Sequence, residues 1–196
     1  TSLVFLIELL KYLSHDTKLL NIPFYKIPSG EITNLPYLRH MGHMGKPVVM
    51  STGMATLEEI RIAMEVLLEA GLKKEQLTIL HCNTEYPTPV EDINLRVIPE
   101  LKKNFKSEIG FSDHSTSVLL PSIAVALGAS YVEKHFTYNR YSKGPDHKAS
   151  LEPKQFLEMV KNIRETEKSL GLSKKRITKS EKKNIKIVRK SIVAKN

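Results

Sequence analysis

The feature that most constrains the fold is a regular alternation of short apolar runs and longer helical patterns. The runs are rich in β-branched and aromatic residues and read "FYKI" (24–27), "VVM" (48–50), "LTILHC" (77–82), "EIGF" (108–111) and "YVEKHF" (131–136). A segment with helical periodicity follows each run, so that one strand–helix unit recurs roughly every 30 residues. This alternation predicts a parallel sheet covered by helices.

Local signals support the predicted helices. In "TLEEIRIAMEVLLEAG" (56–71), Thr56 and Glu59 have the spacing of a capping box, and Gly71 stands where the helix is expected to end. In "EPKQFLEMVKNIRETEKSLG" (152–171), apolar residues recur at helical spacing up to a terminal glycine. We therefore predict five strand–helix units between residues 24 and 171.

Two parallel architectures are compatible with this order. Eight units of this size would make about 240 residues, close to the roughly 250 of a TIM (β/α)8 barrel. The alternative is an open doubly wound sheet, which usually carries a glycine-rich phosphate loop, and no G-x-G-x-x-G follows any of the runs. The pattern therefore favours an α/β fold of the TIM-barrel type, incomplete in this chain, over an open sheet.

The net charge of +9 is concentrated at one end of the chain. Residues 173–196 hold ten Lys/Arg and one acid, whereas the other 172 residues hold 20 basic and 20 acidic groups. A basic tail could bind nucleic acid or an anionic surface, but it lacks interleaved aromatic residues and a recognition motif. We interpret it as a solvated helix, "SEKKNIKIVRKS" (180–191), and expect no nucleic-acid partner.

The composition also limits the cellular setting. The one cysteine, Cys82, excludes an internal disulfide and suits a reducing cytoplasm. No apolar run reaches the roughly 18–20 residues of a membrane span. We therefore expect a cytoplasmic protein that does not enter a membrane.

Polar residues cluster where the runs end, and in parallel α/β folds ligands bind at the carboxyl ends of the strands. Residues two apart in a strand point the same way, so Ser112 shares a face with His114 and Glu133 with His135. Asp113 then points to the other face. A lone histidine is more often a hydrogen-bonded core residue, as we expect for His81. Two histidines on successive strands, however, lie close enough to bind one divalent ion.

Other residues at the strand ends are suited to anions. Lys26 offers a positive charge, and hydroxyl donors come from Ser29, Ser51, Thr84 and Ser112. The segment "VVMSTGMAT" leads into the helix at Thr56, whose amino-terminal amides also favour anions. The turn "GPDHKAS" (144–150) presents Asp146 and is either a substrate loop or an ordinary exposed turn.

Several of these stretches, in their order and spacing, resemble the N-acetylneuraminate (sialic acid) synthase family, which includes the legionaminic and pseudaminic acid synthases. They are "KIPSGEITNLPYL", "GKPVVMSTGMATLEEI", "LHCNTEYPTPVEDINLR", "GFSDHS", "AVALGASYVEKHFT" and "GPDHKASLEP". The resemblance runs from about Pro23 to Ser191. It implies a TIM barrel followed by a small antifreeze-like domain, in a domain-swapped homodimer. It also implies condensation of phosphoenolpyruvate with an N-acetylated amino-sugar aldehyde, dependent on Mn²⁺ or Mg²⁺, with release of phosphate.

The resemblance also assigns roles to single residues. His114 and His135 match the protein ligands of the metal, and Glu133 lies beside it as a third catalytic group. Phosphoenolpyruvate is implied at Lys26, Ser29, Ser51, Thr84 and Ser112, and the sugar at Glu31, Tyr86 and Asp146. Asn83 stands where many relatives have threonine, while the hydroxyl of Thr84 remains.

The chain departs from the family pattern at both ends. Residues 1–22 match poorly, residues 23–172 correspond to the carboxyl-terminal part of the barrel, and residues 173–196 form a basic linker toward an antifreeze-like domain. The strands expected before "FYKI", with their substrate-binding residues, are not recognised. The alternative to a working synthase is therefore a catalytically inactive fragment of one, prone to self-association, and a different phosphoenolpyruvate-dependent aldol condensation is a weaker third reading.

Overall fold

The structure is a computed structural model that describes residues 22–190 and the backbone of residues 2–3. It contains one parallel sheet with the strand order β1-β6-β5-β4-β3-β2. The strands are β1 (Ser2–Leu3), β2 (Tyr25–Ile27), β3 (Val48–Ser51), β4 (Leu77–Cys82), β5 (Glu108–Asp113) and β6 (Tyr131–Lys134). The helices are α1 (Leu35–His43), α2 (Leu57–Glu69), α3 (Val97–Phe105), α4 (Leu120–Ala126), α5 (Pro153–Leu170) and α6 (Ile185–Val188).

The sheet is strongly curled. In a flat sheet β2 and β6 would lie about 19 Å apart, because four strand spacings of roughly 4.8 Å separate them. Instead the side chains of Lys26 and Glu133, on these two strands, approach to 3.3 Å between Nζ and Oε1. The rings of Phe24 and Tyr131 also meet, with centroids 6.5 Å apart. The five main strands therefore form a curled half-barrel with helices, which confirms the predicted TIM-barrel fold class.

The outer face of the curl carries the hydrophobic core. Alternate residues of β2 to β5, such as Ile27, Met50, Leu77 and Ile109, are buried against α1, α2 and α3. A second cluster joins Val132 of β6 to α4 and α5. With about 25 cal/mol per Å² of buried apolar surface, these clusters supply the main stabilising contribution to the fold.

The polarity of the inner face changes along the strands. In the middle of the strands it holds buried apolar residues such as Val49 and Leu80. Gly110 belongs to this face, since a Cβ there would come within 2.5 Å of Leu80 and 2.7 Å of Tyr131. Toward the carboxyl ends the inner face becomes polar, and there the candidate site lies.

Most predicted boundaries are confirmed. The Thr56–Glu59 capping box forms, and Gly71 follows the end of α2 with a φ of +106°. Strand β5 runs two residues beyond "EIGF", to Asp113, and β6 ends at Lys134 rather than at Phe136.

Two predictions about the chain ends need correction. A short strand, β1, precedes "FYKI" and pairs with β6, although no strand was expected there. The helix predicted over residues 180–191 is reduced to one 3-10 turn and the four residues of α6, with Ile187 and Val188 exposed. The tail lacks an apolar face to pack, and its like charges repel one another along a helix.

Residues 4–21 and 191–196, which hold most of the poorly matched segment and the end of the basic linker, lie outside the described residues. Across the described residues, no helix is long and apolar enough to cross a membrane.

Candidate metal and anion site

Three predicted residues meet at the carboxyl end of the inner face. The carboxylate of Glu133 accepts a hydrogen bond from Ser112 Oγ at 2.7 Å and lies 3.3 Å from Lys26 Nζ. Ser112 and Glu133 are partners in the β5–β6 register, whereas Lys26 reaches them across the curl from β2. The side chains of Lys26 and Glu133 are only 12% and 16% exposed, so their attraction is little screened by water. Glu133 thereby fixes both a cation and a hydroxyl at the centre of the site.

The two histidines predicted to form a pair do lie side by side. The ring centroids of His114 and His135 are 5.2 Å apart. Tyr86 packs against both rings, stacked on His114 at 3.9 Å and edge-on to His135 at 5.4 Å. Tyr86 is 40% exposed and therefore lies between the histidines and solvent.

Hydrogen bonding orients the ring of His114. Its Nδ1 lies 2.6 Å from the backbone carbonyl of Asn83, and a carbonyl can only accept, so Nδ1 carries the hydrogen. This leaves the lone pair on Nε2, which is 3.3 Å from Ser112 Oγ. Such a carbonyl partner is what orients metal-binding histidines in proteins.

Burial keeps His114 neutral. The pKa of His114 is lowered to about 4. Loss of solvation is the main cause, the hydrogen bond to Asn83 partly offsets it, and the neighbouring His135 adds to the lowering. At neutral pH the ring is therefore uncharged, and Nε2 carries a lone pair that a metal ion can bind. Neutral imidazole is the form that binds metal ions.

These residues fit a metal site that is completed from outside the protein. Among the described residues, no group of three or more His, Cys, Asp or Glu side chains is placed to hold an ion. The donor set is thus two imidazoles, and further ligands would have to be water or substrate oxygens. Open positions of this kind are typical of catalytic rather than structural metal sites.

The predicted anion-binding hydroxyls lie on the same face. Ser29 Oγ accepts a hydrogen bond from the backbone amide of Gly53 at 2.9 Å. A Cβ at Gly53 would lie 2.6 Å from Thr84 Cγ2 and 2.9 Å from Ser29 Oγ, so glycine allows the three segments to converge. The hydroxyl of Ser51 is buried and has no hydrogen-bond partner among the residues that the structure describes. An unpartnered buried hydroxyl calls for an explanation, and a bound anion would supply the missing acceptor.

Two predicted residues are not joined to this cluster. The Glu31 carboxylate accepts a hydrogen bond from Asn34 Nδ2 at 2.7 Å. Asp146 begins a 3-10 turn, in which its backbone carbonyl accepts from Ser150 Oγ at 2.7 Å. Within the part of the chain that the structure describes, no hydrogen bond or ion pair links either residue to the histidines or to Lys26. Their predicted contacts with a sugar stay predictions.

His81 and His114 lie on opposite faces of the sheet, as expected. His81 belongs to the outer face, where its Nε2 lies 2.6 Å from the Ile93 carbonyl and its ring stacks on Phe111 with centroids 5.9 Å apart. Burial lowers the pKa of His81 as well. It is a hydrogen-bonded core histidine and does not belong to the site.

Sequence reasoning overlooked three members of the site. The Asn83 carbonyl and the Gly53 amide act through backbone atoms, which residue type does not reveal. Cys82 lies on the inner face with its Sγ 4.0 Å from His114 Nδ1, and burial raises the pKa of its thiol, so that it stays protonated. For Cys82 the strand parity carried the signal, since it is two residues before Thr84 and is the register partner of Ser112.

Known proteins show the same sequence pattern. A profile of the NeuB family matches residues 6–175. The chain is 49% identical over 176 residues to an N,N'-diacetyllegionaminic acid synthase of Campylobacter jejuni, covering 90% of this chain and 53% of that protein. It is 38% identical over 177 residues to the human N-acetylneuraminate-9-phosphate synthase, covering 90% of this chain and 48% of that protein.

A solved structure shows the same fold. The crystal structure of an N-acetylneuraminic acid (sialic acid) synthetase from Leptospira borgpetersenii, in complex with citrate, superposes with a TM-score of 0.79 at 34% identity. The match covers 87% of this chain and 59% of that one. The chain spans about half the length of the curated relatives it matches. On the extent of the family match and these identities, the chain belongs to the NeuB family.

Proposed function

We propose that this chain carries the metal- and phosphoenolpyruvate-binding part of a nonulosonic (sialic-type) acid synthase. In this reaction phosphoenolpyruvate condenses with an N-acetylated amino-sugar aldehyde and phosphate is released. The observation that carries the proposal is the convergence, on one inner face, of the His114–His135 pair with a lysine and several hydroxyls. The names of the relatives, which are sialic, legionaminic and pseudaminic acid synthases, agree with this chemistry.

The anion side of the site would hold phosphoenolpyruvate. Lys26 supplies the charge, and Ser51 supplies a buried hydroxyl for which the described part of the chain offers no acceptor. Ser29 and Thr84 converge at Gly53 and add further hydroxyls. Charge-assisted hydrogen bonds of this kind bind phosphate and carboxylate groups strongly.

The histidine side would hold the aldehyde. His114 and His135 would bind Mn²⁺ or Mg²⁺, and the ion when bound would polarise the aldehyde oxygen as a Lewis acid. Tyr86 covers both rings and would shield the reacting carbon from bulk water. The polar contacts of the sugar itself are proposed for Tyr86, Glu31 and Asp146.

Glu133 has the central place in the proposed reaction. C3 of phosphoenolpyruvate forms the new bond to the aldehyde carbon, water adds at C2, and the C–O bond to phosphate then breaks. Glu133 already holds Ser112 and Lys26, so it can orient the water or accept its proton while Lys26 balances the charge on the phosphate. Held geometry of this kind can supply about 7–11 kcal/mol of catalysis.

The test is an assay for phosphate release. The 196-residue chain is incubated with phosphoenolpyruvate, Mn²⁺ and a panel of N-acetylated amino sugars, with Glu133→Gln as the matched inactive variant. Sugar-dependent phosphate release that Glu133→Gln abolishes supports a complete synthase site. The alternative is a catalytically inactive fragment of such a synthase. It predicts no turnover but retained binding of Mn²⁺ and phosphate, and loss of both binding and turnover would contradict the proposal.

Two features of the whole protein are also proposed. A homodimer is implied by the family resemblance and would appear in size-exclusion chromatography with light scattering. A reducing, cytoplasmic location suits the free buried thiol of Cys82. A monomer with unchanged activity would count against the first of these.

A further inference from the structure

A buried ion pair lies directly behind the two histidines, on the opposite face of the sheet. Lys134 Nζ lies 2.7 Å from Asp113 Oδ2, and both side chains are only 1% exposed. The two residues are partners in the β5–β6 register. Asp113 immediately precedes His114, and Lys134 immediately precedes His135. Each histidine is therefore joined through the backbone to one member of the pair.

The pair also holds the turn that follows β5. The Ser115 amide donates to Asp113 Oδ1 at 2.8 Å, and Lys134 Nζ donates to the Ser115 carbonyl. The backbone is thus held on both sides of His114. The His114 carbonyl in turn accepts from the Thr88 amide at 3.2 Å, which ties this turn to the loop after β4. That loop carries Asn83, whose carbonyl orients the His114 ring.

Stability alone is a poor reason for such a pair. Removing two charges from water costs about as much as their attraction returns, and apolar residues of similar size often stabilise a core equally well. A buried ion pair instead fixes the geometry of the groups around it, because its hydrogen bonds are satisfied in one arrangement only. Here those bonds end on the segments that carry the histidines.

We propose that the Asp113–Lys134 pair is a positioning element, which sets the spacing of His114 and His135 and holds the His114 ring with Nε2 facing the site. By strand parity the side chains of both residues point to the face opposite the site. The assignment of the histidines to a metal rests on the proposed function, but the orientation of the ring does not. The two ideas can therefore fail separately.

The test begins with the metal-free chain. Ring ¹⁵N chemical shifts of His114 are measured by NMR in the wild type, Asp113→Asn, Lys134→Met and the apolar double variant Asp113→Leu/Lys134→Met. Glu167→Gln is the matched control, since Arg164 and Glu167 form an ion pair at the same 2.7 Å but on the surface. The wild type and Glu167→Gln should show one tautomer, with hydrogen on Nδ1. Both single variants should show a tautomer mixture.

Melting temperature and Mn²⁺ affinity separate positioning from stability. The double variant should recover most of the melting temperature lost by the single variants, yet keep the mixed tautomer and an Mn²⁺ affinity reduced about 10-fold. Wild-type ring shifts in the folded single variants, or recovery of both ring shifts and affinity in the double variant, would overturn the proposal. If the single variants do not fold, ring shifts, melting temperature and Mn²⁺ affinity are measured in the double variant and in Lys134→Arg instead. Absence of Mn²⁺ binding in the wild type would contradict the proposed function, while the ring shifts would still decide the positioning role.

Discussion

The two faces of the curled sheet use neighbouring residues for opposite purposes. On β5, Phe111 and Asp113 point outward into the core and its buried ion pair, while Ser112 points inward to Glu133. The outer face is closed by helices, so its side chains contribute mainly to the free energy of unfolding. The inner face ends in polar groups, and under the proposed function its side chains contribute mainly to binding. The Asp113–Lys134 pair is the exception, because it lies on the outer face and is proposed to position the histidines. Elsewhere a substitution should reveal its face by the property it changes.

The largest effect on stability is expected from the outer face. Leu77→Ala removes a fully buried side chain from the main core cluster and should lower the free energy of unfolding by about 2–5 kcal/mol. Urea denaturation would measure this, with the 70% exposed Leu157→Ala on α5 as a control. Phosphate affinity of the folded variant should be unchanged. A loss of affinity without a loss of stability would show that the two faces are not separable in this way.

The next effect is expected from the inner face and concerns binding. Lys26→Met removes the charge beside Glu133 and should weaken binding of inorganic phosphate by about 1.5–3 kcal/mol, or roughly 10- to 160-fold. Isothermal titration calorimetry measures it, and Lys103→Met removes an equal charge from the exposed face of α3 as a control. Equal losses in both variants would mean that phosphate responds to overall charge and not to this site.

A smaller effect on binding is expected at Gly53. An alanine Cβ would press on Thr84 and on Ser29 Oγ, which accepts the Gly53 amide hydrogen. Phosphate affinity should fall by about 0.5–1.5 kcal/mol, the net worth of one hydrogen bond. Gly30→Ala is the matched control, because nothing lies within 4 Å of a Cβ at that position. Similar phosphate affinity in the two variants would contradict a role for Gly53 in the convergence of these loops.

The smallest effect is a pH dependence from the outer face. Burial lowers the pKa of His81 in the folded chain, and its hydrogen bond to Ile93 offsets part of this. The unfolded chain therefore binds more protons than the folded one as pH falls below about 6.5, so stability falls with it. In urea denaturation at pH 7.5 and 5, with chelator present, His81→Asn should lose less stability over this interval than the wild type. An unchanged difference would show that His81 is not held neutral by the core.

The strand–helix order and the site histidines could be predicted because their signals are local. The alternation of apolar runs placed β2 to β6, and the two-residue period of a strand put His114 and Ser112 on one face with Asp113 on the other. The capping box of α2 was likewise readable from Thr56 and Glu59. These features depend only on residues close together in the chain.

The remaining features depend on contacts between distant segments. The approach of Lys26 to Glu133 arises from the curl of the sheet, and the partner of His114 is a backbone carbonyl 31 residues earlier. The bond between Asp113 and Lys134 needs the register of β5 and β6, which local patterns leave undetermined. The helix predicted in the basic tail is reduced to the four residues of α6. Its local pattern is helical, but it has no surface to pack against.

The central claim is that the inner face binds a divalent ion through His114 and His135, and a Mn²⁺ titration followed by electron paramagnetic resonance tests it most directly. The wild-type chain should bind one ion. His114→Ala and His135→Ala should each weaken that binding by more than about 100-fold, because removal of an outer-shell partner alone costs about 10- to 100-fold. His81→Asn, on the outer face, should bind Mn²⁺ like the wild type. Near-normal affinity in either alanine variant, or an equal loss in His81→Asn, would contradict the account.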